Sequence, residues 1–277
     1  MIEIIEIVAE ASCNHAGHKF NAFELVSAAQ DNKCDTVKFQ YFEPQDMVSR
    51  DSTYLWQGKL ISLFELYNKV RTPREWFPEL VKFAHFIGIK FQVSLFNPKD
   101  VPYFKQIGVD SFKIASPEAN WTELTDACAS SGLPMSISLG CSSYGNALDL
   151  MKRYKGCDLT LMYCVSKYPP LPEECNMETV RHLCESILPG MKVGLSNHYQ
   201  DDTTDVVAAV LGATVFEKHI MLPGVVTEDF NFSIEPMDFL YLRKKLELAI
   251  KSIGTATYGN TNHPLKRKEI EGRVLRK

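Results

Sequence analysis

The chain has 277 residues, which is enough for one or two domains of ordinary size or for a single α/β barrel. Hydrophobic residues make up 45% and charged residues 23%, a composition that excludes a mainly disordered or collagen-like chain. The net charge of −4 at pH 7 gives no sign of a nucleic-acid or anionic-membrane partner. No apolar run approaches the ~18 residues that span a bilayer, and residues 1–12 lack the basic start of a signal peptide. We therefore expect a cytoplasmic protein with no membrane or nucleic-acid partner.

Eight short β-rich runs recur along the chain and are separated by segments with helical spacing of apolar residues. The predicted strands cover residues 4–12, 36–42, 89–96, 111–116, 134–140, 159–165, 192–198 and 214–220. The predicted helices cover residues 20–32, 75–86, 121–130, 145–154, 177–188, 203–211 and 237–253. Strands that alternate with helices favour a parallel sheet, and eight strands are the number that closes a (β/α)8 TIM barrel.

Two segments fall outside this alternation. Residues 43–73 are too long for an ordinary connection between a strand and a helix, so they predict a lid or an extra hairpin over the site (a long β2–α2 insertion). Residues 255–277 carry little apolar periodicity and are basic from Pro264 onward. We therefore predict a barrel domain over residues 1–254, followed by a basic tail or linker remnant over residues 255–277.

The cysteines form no CxxC pair, and several lie inside apolar runs such as LMYCV. A chain of this length buries a core without disulfides, so we expect reduced, packed thiols. The eight cysteines stand at positions 13, 34, 128, 141, 157, 164, 175 and 184.

Polar side chains are concentrated at the carboxyl ends of the predicted strands, where a barrel of this kind forms its pocket. Lys38 and Gln40 lie two residues apart and therefore on one face of the second strand, and Lys113 lies in the fourth. Two lysines with a ring of hydroxyls form a receptor for a phosphate or a carboxylate. A single serine in a strand more often has a hydroxyl group that is hydrogen-bonded within the core. A ring of serine hydroxyls at one end of the barrel instead indicates a binding site. The other polar residues at these ends are Glu10, His15, Ser94, Ser116, Ser138, Ser166, Tyr168, Ser196 and Glu217.

His198 and His219 each end a strand, on the neighbouring seventh and eighth strands. Neighbouring strands lie ~4.8 Å apart, so the two imidazoles can share one metal ion. Two histidines are too few for a structural zinc site, so a metal held here keeps open positions for water and substrate, as catalytic metals do. Two ordinary polar histidines are the alternative.

Eight short sequences follow one another along the chain: VAEASCNHAGH, VKFQYF, FKIASPE, ISLG, YCVSKYP, GLSNH, FEKHI and EDFNFSIEP. In this order they resemble the sialic acid synthase family, and the resemblance runs from about residue 5 to 254. Enzymes of that family condense phosphoenolpyruvate with N-acetylmannosamine or a related 2-acetamido hexose to give a nine-carbon sugar acid. The resemblance therefore implies a transferase that forms a C–C bond, releases phosphate by C–O cleavage and uses a divalent metal, usually Mn²⁺, with Mg²⁺ or Co²⁺ as alternatives.

Carried over by position, the resemblance also implies roles for individual residues. His198 and His219 match the two metal ligands, and Glu118 matches a carboxylate beside the reacting carbons that orients or deprotonates water. Ser166 stands where the family commonly has asparagine. The positions that match phosphoenolpyruvate contacts are Lys38, Ser94, Lys113, Ser116, Ser138, Ser166 and Ser196, and those that match sugar contacts are Glu10, Gln40, Tyr168 and Asp229.

Two departures from the family pattern bear on the site. Asn197 replaces the usual aspartate, which we expect to remove a negative charge beside the metal ligand His198. Bacterial members continue into a small antifreeze-like domain that reaches across a homodimer and covers the partner's sugar site with an arginine. This sequence ends in the region that resembles the linker to that domain. We therefore expect a homodimer in which such a domain is absent, acts in trans from a separate chain, or was removed.

Two alternatives remain open at this point. Another phosphoenolpyruvate-dependent synthase, such as a 3-deoxy-heptulosonate or 3-deoxy-octulosonate synthase, needs a second phosphate site, and no extra basic cluster lies in the strand-end motifs. The other alternative is a non-catalytic barrel that binds phosphoenolpyruvate or a sugar and acts as a partner subunit. The presence of Lys38, Lys113, Glu118 and both histidines argues against it. The sequence does not distinguish between the acceptor sugars of sialic, legionaminic, pseudaminic and spore-coat polysaccharide synthases.

Overall fold

Eight parallel strands close into a barrel in the computed structural model, which describes residues 5–56 and 59–256. Each barrel strand pairs with the next, and the first pairs with the last, so that Glu10 lies opposite both Lys38 and His219. This confirms the predicted TIM barrel. The strands are β1 (Glu6–Glu10), β2 (Thr36–Tyr41), β3 (Thr53–Trp56), β4 (Lys59–Ser62), β5 (Lys90–Leu95), β6 (Ser111–Ile114), β7 (Met135–Ser138), β8 (Leu159–Cys164), β9 (Lys192–Asn197), β10 (Val215–Ile220) and β11 (Ser233–Ile234). All but β3, β4 and β11 belong to the barrel.

Helices surround the barrel, and each predicted helix is present with ends within two residues of the prediction. Helix α5 was not predicted, because its six residues are too few to show a helical period. The helices are α1 (Lys19–Asp31), α2 (Pro44–Met47), α3 (Leu63–Val70), α4 (Phe77–Ile87), α5 (Val101–Gln106), α6 (Thr122–Ser130), α7 (Tyr144–Arg153), α8 (Glu178–Ser186), α9 (Thr203–Val210) and α10 (Pro236–Ile253).

The alternation of side chains along β2 shows how the core and the pocket are separated. Phe39 is fully buried between barrel and helices, where its ring stacks on Phe91 with centroids 5.4 Å apart and meets Phe77 edge-on. Lys38 and Gln40, on the other face of the same strand, point into the barrel. The period of two therefore places apolar groups against the helices and polar groups in the interior.

The insertion between β2 and α4 folds over the carboxyl ends of the barrel strands. It contains α2, the antiparallel hairpin β3–β4 and α3, which confirms the predicted hairpin. Ser62 caps α3 by accepting a hydrogen bond from the backbone N–H of Glu65. Lys69 on α3 forms an ion pair of 2.7 Å with Glu228 in the loop after β10. This contact ties the insertion to the opposite side of the pocket.

The remaining sequence predictions concern cysteines, membranes and the tail. Cys141 is exposed after β7, so the prediction of packed thiols is wrong for that residue, whereas Cys13, Cys34, Cys128, Cys164 and Cys175 are buried free thiols. Within the described residues, no helix is long and apolar enough to cross a membrane. The predicted tail lies outside the described residues from position 257 onward.

Candidate active site

A cavity of about 410 Å³ opens at the carboxyl ends of the barrel strands. The structure brings most of the predicted site residues together there, although Glu10, Glu118 and Ser166 do not line it. The predicted residues that do are Lys38, Gln40, Ser94, Lys113, Ser116, Ser138, Tyr168, Ser196, His198, His219 and Asp229.

The floor of the cavity is organised around the carboxylate of Glu217. Lys38 donates to Oε1 at 2.8 Å, Lys113 donates to Oε2 at 2.6 Å, and Ser196 donates to Oε1 at 3.0 Å. All four side chains are buried. Burial alone opposes ionisation of Glu217, but the two ammonium groups outweigh it and hold the pKa of that carboxyl far below its usual range.

Lys38 lies between two carboxylates. Its Nζ is 2.7 Å from Oε2 of Glu10 and 2.8 Å from Oε1 of Glu217. Burial nevertheless lowers the pKa of Lys38 to about 7, with the Lys113 charge acting in the same direction. Glu10 is completely buried and also accepts a hydrogen bond from Gln40 Nε2 at 3.2 Å, so in this structure it holds Lys38 and Gln40 in position. Its predicted sugar contact stays a prediction.

Three small polar groups crowd against Gly140, just beyond β7. The backbone N–H of Gly140 donates to Ser116 Oγ at 3.0 Å, and Ser116 Oγ also lies 3.0 Å from Cys164 Sγ. A Cβ atom on Gly140 would lie 2.7 Å from Cys164 Sγ and 2.9 Å from Ser116 Oγ, and it would also collide with Ser166 Oγ. The glycine is therefore needed for this close approach, and Ser166 lies beside the ring of hydroxyls.

His198 and His219 face each other with ring centroids 5.6 Å apart. His198 Nδ1 is 3.1 Å from the carbonyl oxygen of Val165, so Nδ1 carries the proton and Nε2 has a free lone pair. Burial lowers the pKa of His198 to about 3, which keeps the ring neutral. His219 Nδ1 lies 3.1 Å from Oδ2 of Asp229, a sugar-contact residue in the sequence prediction.

This pair fits a metal site with few protein ligands. A ligating histidine usually donates its second ring N–H to a carbonyl or carboxylate, and both rings have such a neighbour. In the described part of the chain, no group of three or more His, Cys, Asp or Glu side chains is arranged around one point. Any metal held here would take its other ligands from water and substrate.

Asn197 corrects one expectation, because its side chain points away from the cavity. It donates to Oδ2 of Asp205 at 2.6 Å and to Thr204 Oγ1 at 2.9 Å, both on α9. Lys218, the outward-facing neighbour of His219, lies 3.2 Å from the same Asp205 oxygen and donates to the carbonyl oxygen of Tyr199 at 2.6 Å. The charge of residue 197 therefore belongs to a buried network behind the barrel wall.

Glu118 lies in the short 3₁₀ helix that follows β6, beside the cavity. Its Oε2 atom is buried and makes no hydrogen bond within the described residues. Burial raises the pKa of Glu118 to about 7. The pKa of Tyr67, which lines the cavity, is raised by burial and also by the charge of Glu118. The carboxyl group of Glu118 can therefore gain or lose a proton near neutral pH.

His15 does not line the cavity as expected. Ser12 and Ala16 have positive φ angles of 41° and 51°, and the chain turns outward between them. His15 is completely buried against the Trp76 ring, with centroids 5.4 Å apart, and its Nε2 lies 3.1 Å from Thr72 Oγ1. Its role here is packing.

The side of the cavity away from the lysines is formed by aromatic and acidic residues. Tyr168, 54% exposed, packs its ring over His198 with centroids 4.1 Å apart. Phe232 contacts both Tyr168 and His219 edge-on. Asp229 and Glu228 follow β10 and face the opening. These groups surround the space above the histidine pair.

Comparison with known proteins assigns the chain to a family. The model of the NeuB family matches residues 25–258, which is most of the chain. The chain belongs to the NeuB family. Among its relatives, pseudaminic acid synthase of Helicobacter pylori is 30% identical over 263 residues, covering 92% of this chain and 77% of that protein.

Solved structures of similar proteins agree with the barrel. Spore coat polysaccharide biosynthesis protein spsE of Bacillus subtilis superposes with a TM-score of 0.76 at 27% identity, over 90% of this chain and 69% of that one. N-acetylneuraminic acid synthetase of Leptospira borgpetersenii gives a TM-score of 0.83, over 99% and 93% of the two chains. At 24% identity, the second likeness shows the fold alone.

Two parts of the NeuB-family pocket were missed or left without a role by the sequence analysis. Glu217 was placed at a strand end with no function, although its position two residues before His219 puts both on one face. Leu66, Tyr67 and Val70 of α3 line the cavity; the insertion was predicted to lie over the site, but no pattern in the sequence indicated which of its side chains would face the cavity.

Proposed function

We propose that this chain condenses phosphoenolpyruvate with a 2-acetamido hexose, such as N-acetylmannosamine, to give a nine-carbon sugar acid and phosphate. The observation that carries the proposal is the convergence of Lys38, Lys113 and Ser196 beside His198 and His219 in one cavity. Membership of the NeuB family, whose relatives include pseudaminic acid synthases, supports it. A cytoplasmic location and a homodimer belong to the same proposal.

Phosphoenolpyruvate is a small, highly charged anion, so it belongs on the basic floor. Lys38 and Lys113 supply charge-assisted hydrogen bonds, and the hydroxyl groups around them supply neutral donors. Glu217 holds both ammonium groups in place before the substrate arrives. The hydroxyl donors that face this space are Ser94, Ser116, Ser138 and Ser196.

The C–C bond forms when C3 of phosphoenolpyruvate attacks the aldehyde carbon of the open-chain sugar. The aldehyde oxygen becomes an alkoxide and then takes a proton to give the new hydroxyl. His198 and His219 would hold a divalent ion, Mn²⁺ by preference and Mg²⁺ or Co²⁺ as alternatives. Such an ion supplies Lewis-acid stabilisation of the alkoxide when bound.

Water completes the reaction at C2, where positive charge develops. The water oxygen bonds to C2, and one of its protons passes to the carboxylate of Glu118. Phosphate leaves with the electron pair of the C2–O bond, and the second proton of the water passes to the departing phosphate as C2 becomes a ketone. A carboxyl group whose pKa is about 7 suits this proton transfer, and its unpartnered Oε2 can accept a hydrogen bond. Ala115 and Ser116, which closely precede Glu118, line the cavity, so the water would approach from that side.

The test is phosphate release from phosphoenolpyruvate with Mn²⁺ and a panel of 2-acetamido hexoses. We expect release with at least one sugar, loss of release in His198→Ala, and little change in the matched surface variant His182→Ala. Binding of phosphoenolpyruvate without release on any sugar would instead support the non-catalytic alternative. Full activity of His198→Ala and His219→Ala after treatment with a chelator would contradict the metal assignment.

A further inference from the structure

The opening of the cavity has no unpaired cation among the described residues. The basic side chains that line the cavity are Lys38 and Lys113 at the floor, together with His198 and His219. Lys69 on α3 is paired with Glu228 at 2.7 Å. Arg71, which ends that helix, is paired with Glu43 at 2.7 Å.

Among the described residues at the opening, the two carboxylates outnumber the one lysine that pairs with either of them, Lys69. Glu228 and Asp229 both line the cavity, and only Glu228 has a basic partner there besides histidine. Lys69 is largely exposed, so its charge is spread into solvent. A ligand group placed between α3 and the loop after β10 therefore meets an acidic environment.

The wall opposite these carboxylates is apolar. Leu66, Tyr67 and Val70 project from one side of α3 into the cavity. Phe42 extends this wall, and its ring packs against Tyr67 with centroids 5.4 Å apart. None of these side chains can donate the charged hydrogen bonds that phosphate sites use.

We propose that the acceptor sugar is unphosphorylated and places an apolar substituent against the wall formed by Phe42, Leu66, Tyr67 and Val70. The inference rests on the proposed function, because phosphoenolpyruvate fills the basic floor and leaves the sugar to the outer half of the cavity. A phosphate monoester carries about −1.5 to −2 charges at pH 7. Next to Glu228 and Asp229, a phosphate group should lower kcat/KM at least about tenfold relative to a free hydroxyl group.

The experiment compares kcat/KM for each 2-acetamido hexose with that for its 6-phosphate, at saturating phosphoenolpyruvate and with Mn²⁺. We expect the unphosphorylated sugar to be preferred by at least about tenfold. A preference for the 6-phosphate would overturn this inference and leave the proposed function standing. Absence of phosphate release with either form of every sugar would overturn the proposed function itself, and the inference with it.

Two variants test the cause of the preference. Leu66→Lys adds a cation to the wall and is expected to lower the preference at least about tenfold, whereas Asn68→Lys, on the exposed side of α3, leaves it unchanged. Glu228→Gln removes a carboxylate and frees Lys69, so it should also lower the preference for the unphosphorylated sugar. The glutamine side chain is of the same size as the glutamate that it replaces. An unchanged preference in Glu228→Gln and in a folded Leu66→Lys would overturn the electrostatic explanation.

Discussion

Lys113 and Glu217 form a buried ion pair across the barrel interior, with Nζ 2.6 Å from Oε2, although their strands lie on opposite sides of the barrel. Lys38 reaches the same carboxylate from a third strand and Ser196 from a fourth. Glu10 also pairs with Lys38, but Glu217 is the one carboxylate that both lysines share. Because that carboxylate compensates both lysines, the receptor exists before any anion binds.

Replacing Glu217 by glutamine tests this arrangement. Glu217→Gln leaves two buried ammonium groups without their common partner, so the free energy of unfolding should fall by roughly 3 kcal/mol. Saturating phosphoenolpyruvate should restore part of that loss by supplying the missing negative charge. Urea denaturation with and without phosphoenolpyruvate measures both effects, and Glu24→Gln on the exposed side of α1 is the matched control. Equal stability of the two variants would show that Glu217 does not hold the floor.

Gly140 tests the ring of hydroxyls. In Gly140→Ala, the added methyl group displaces the side chains of Ser116, Cys164 and Ser166, so we expect phosphoenolpyruvate affinity to fall by about 10-fold or more. In Gly145→Ala the new Cβ meets only Ser143 Oγ, at an ordinary 3.6 Å, and affinity should stay at the wild-type value. Titration calorimetry compares the two. Wild-type affinity in Gly140→Ala would place the anion elsewhere.

The buried network behind β9 and β10 should matter for stability. Lys218→Met leaves Asp205 charged, fully buried and without its cation, which costs about 3 kcal/mol or more. Lys245→Met breaks an exposed ion pair with Asp202 and should cost less than about 1 kcal/mol. Thermal unfolding of the two methionine variants gives the comparison. Similar losses in both would contradict the assigned burial of the network.

Glu118 should make stability depend on pH. Burial raises its pKa from 4.5 to about 7, so the folded protein keeps a proton that the unfolded chain releases. The stabilisation is fully present below pH 4.5 and is lost as pH rises through 7. Because the Glu118 residue as a whole is only half-buried, the loss is on the order of 1–2 kcal/mol.

The glutamine variant isolates this contribution. In Glu118→Gln the group cannot ionise, so the free energy of unfolding should fall less between pH 5 and 8 than in the wild type, by on the order of 1 kcal/mol. Glu123→Gln, which changes an exposed side chain nearby, should retain the wild-type slope. Identical slopes in all three proteins would show that Glu118 titrates as an ordinary exposed carboxyl.

The sequence alone determined the barrel and the set of side chains that enter it. Eight runs with strand character alternate with helical segments, which favours a parallel sheet, and eight is the number of strands that closes a barrel. Within each strand, the period of two separates Lys38 and Gln40 from Phe39 without any tertiary information. The same rule places Ser196 and His198 on one face, so Asn197 had to face the other.

Tertiary structure decided which groups meet. Glu217 lies 179 residues from Lys38 and 104 from Lys113, and its pairing with both depends on how the strands are arranged around the barrel. The insertion has no repeat or register that fixes its position, so only packing and the Lys69–Glu228 contact place Leu66, Tyr67 and Val70 over the opening. The alternation along a strand determines which face of the sheet a side chain lies on. Which side chain it then contacts depends on how strands that are far apart in sequence are brought together when the barrel closes.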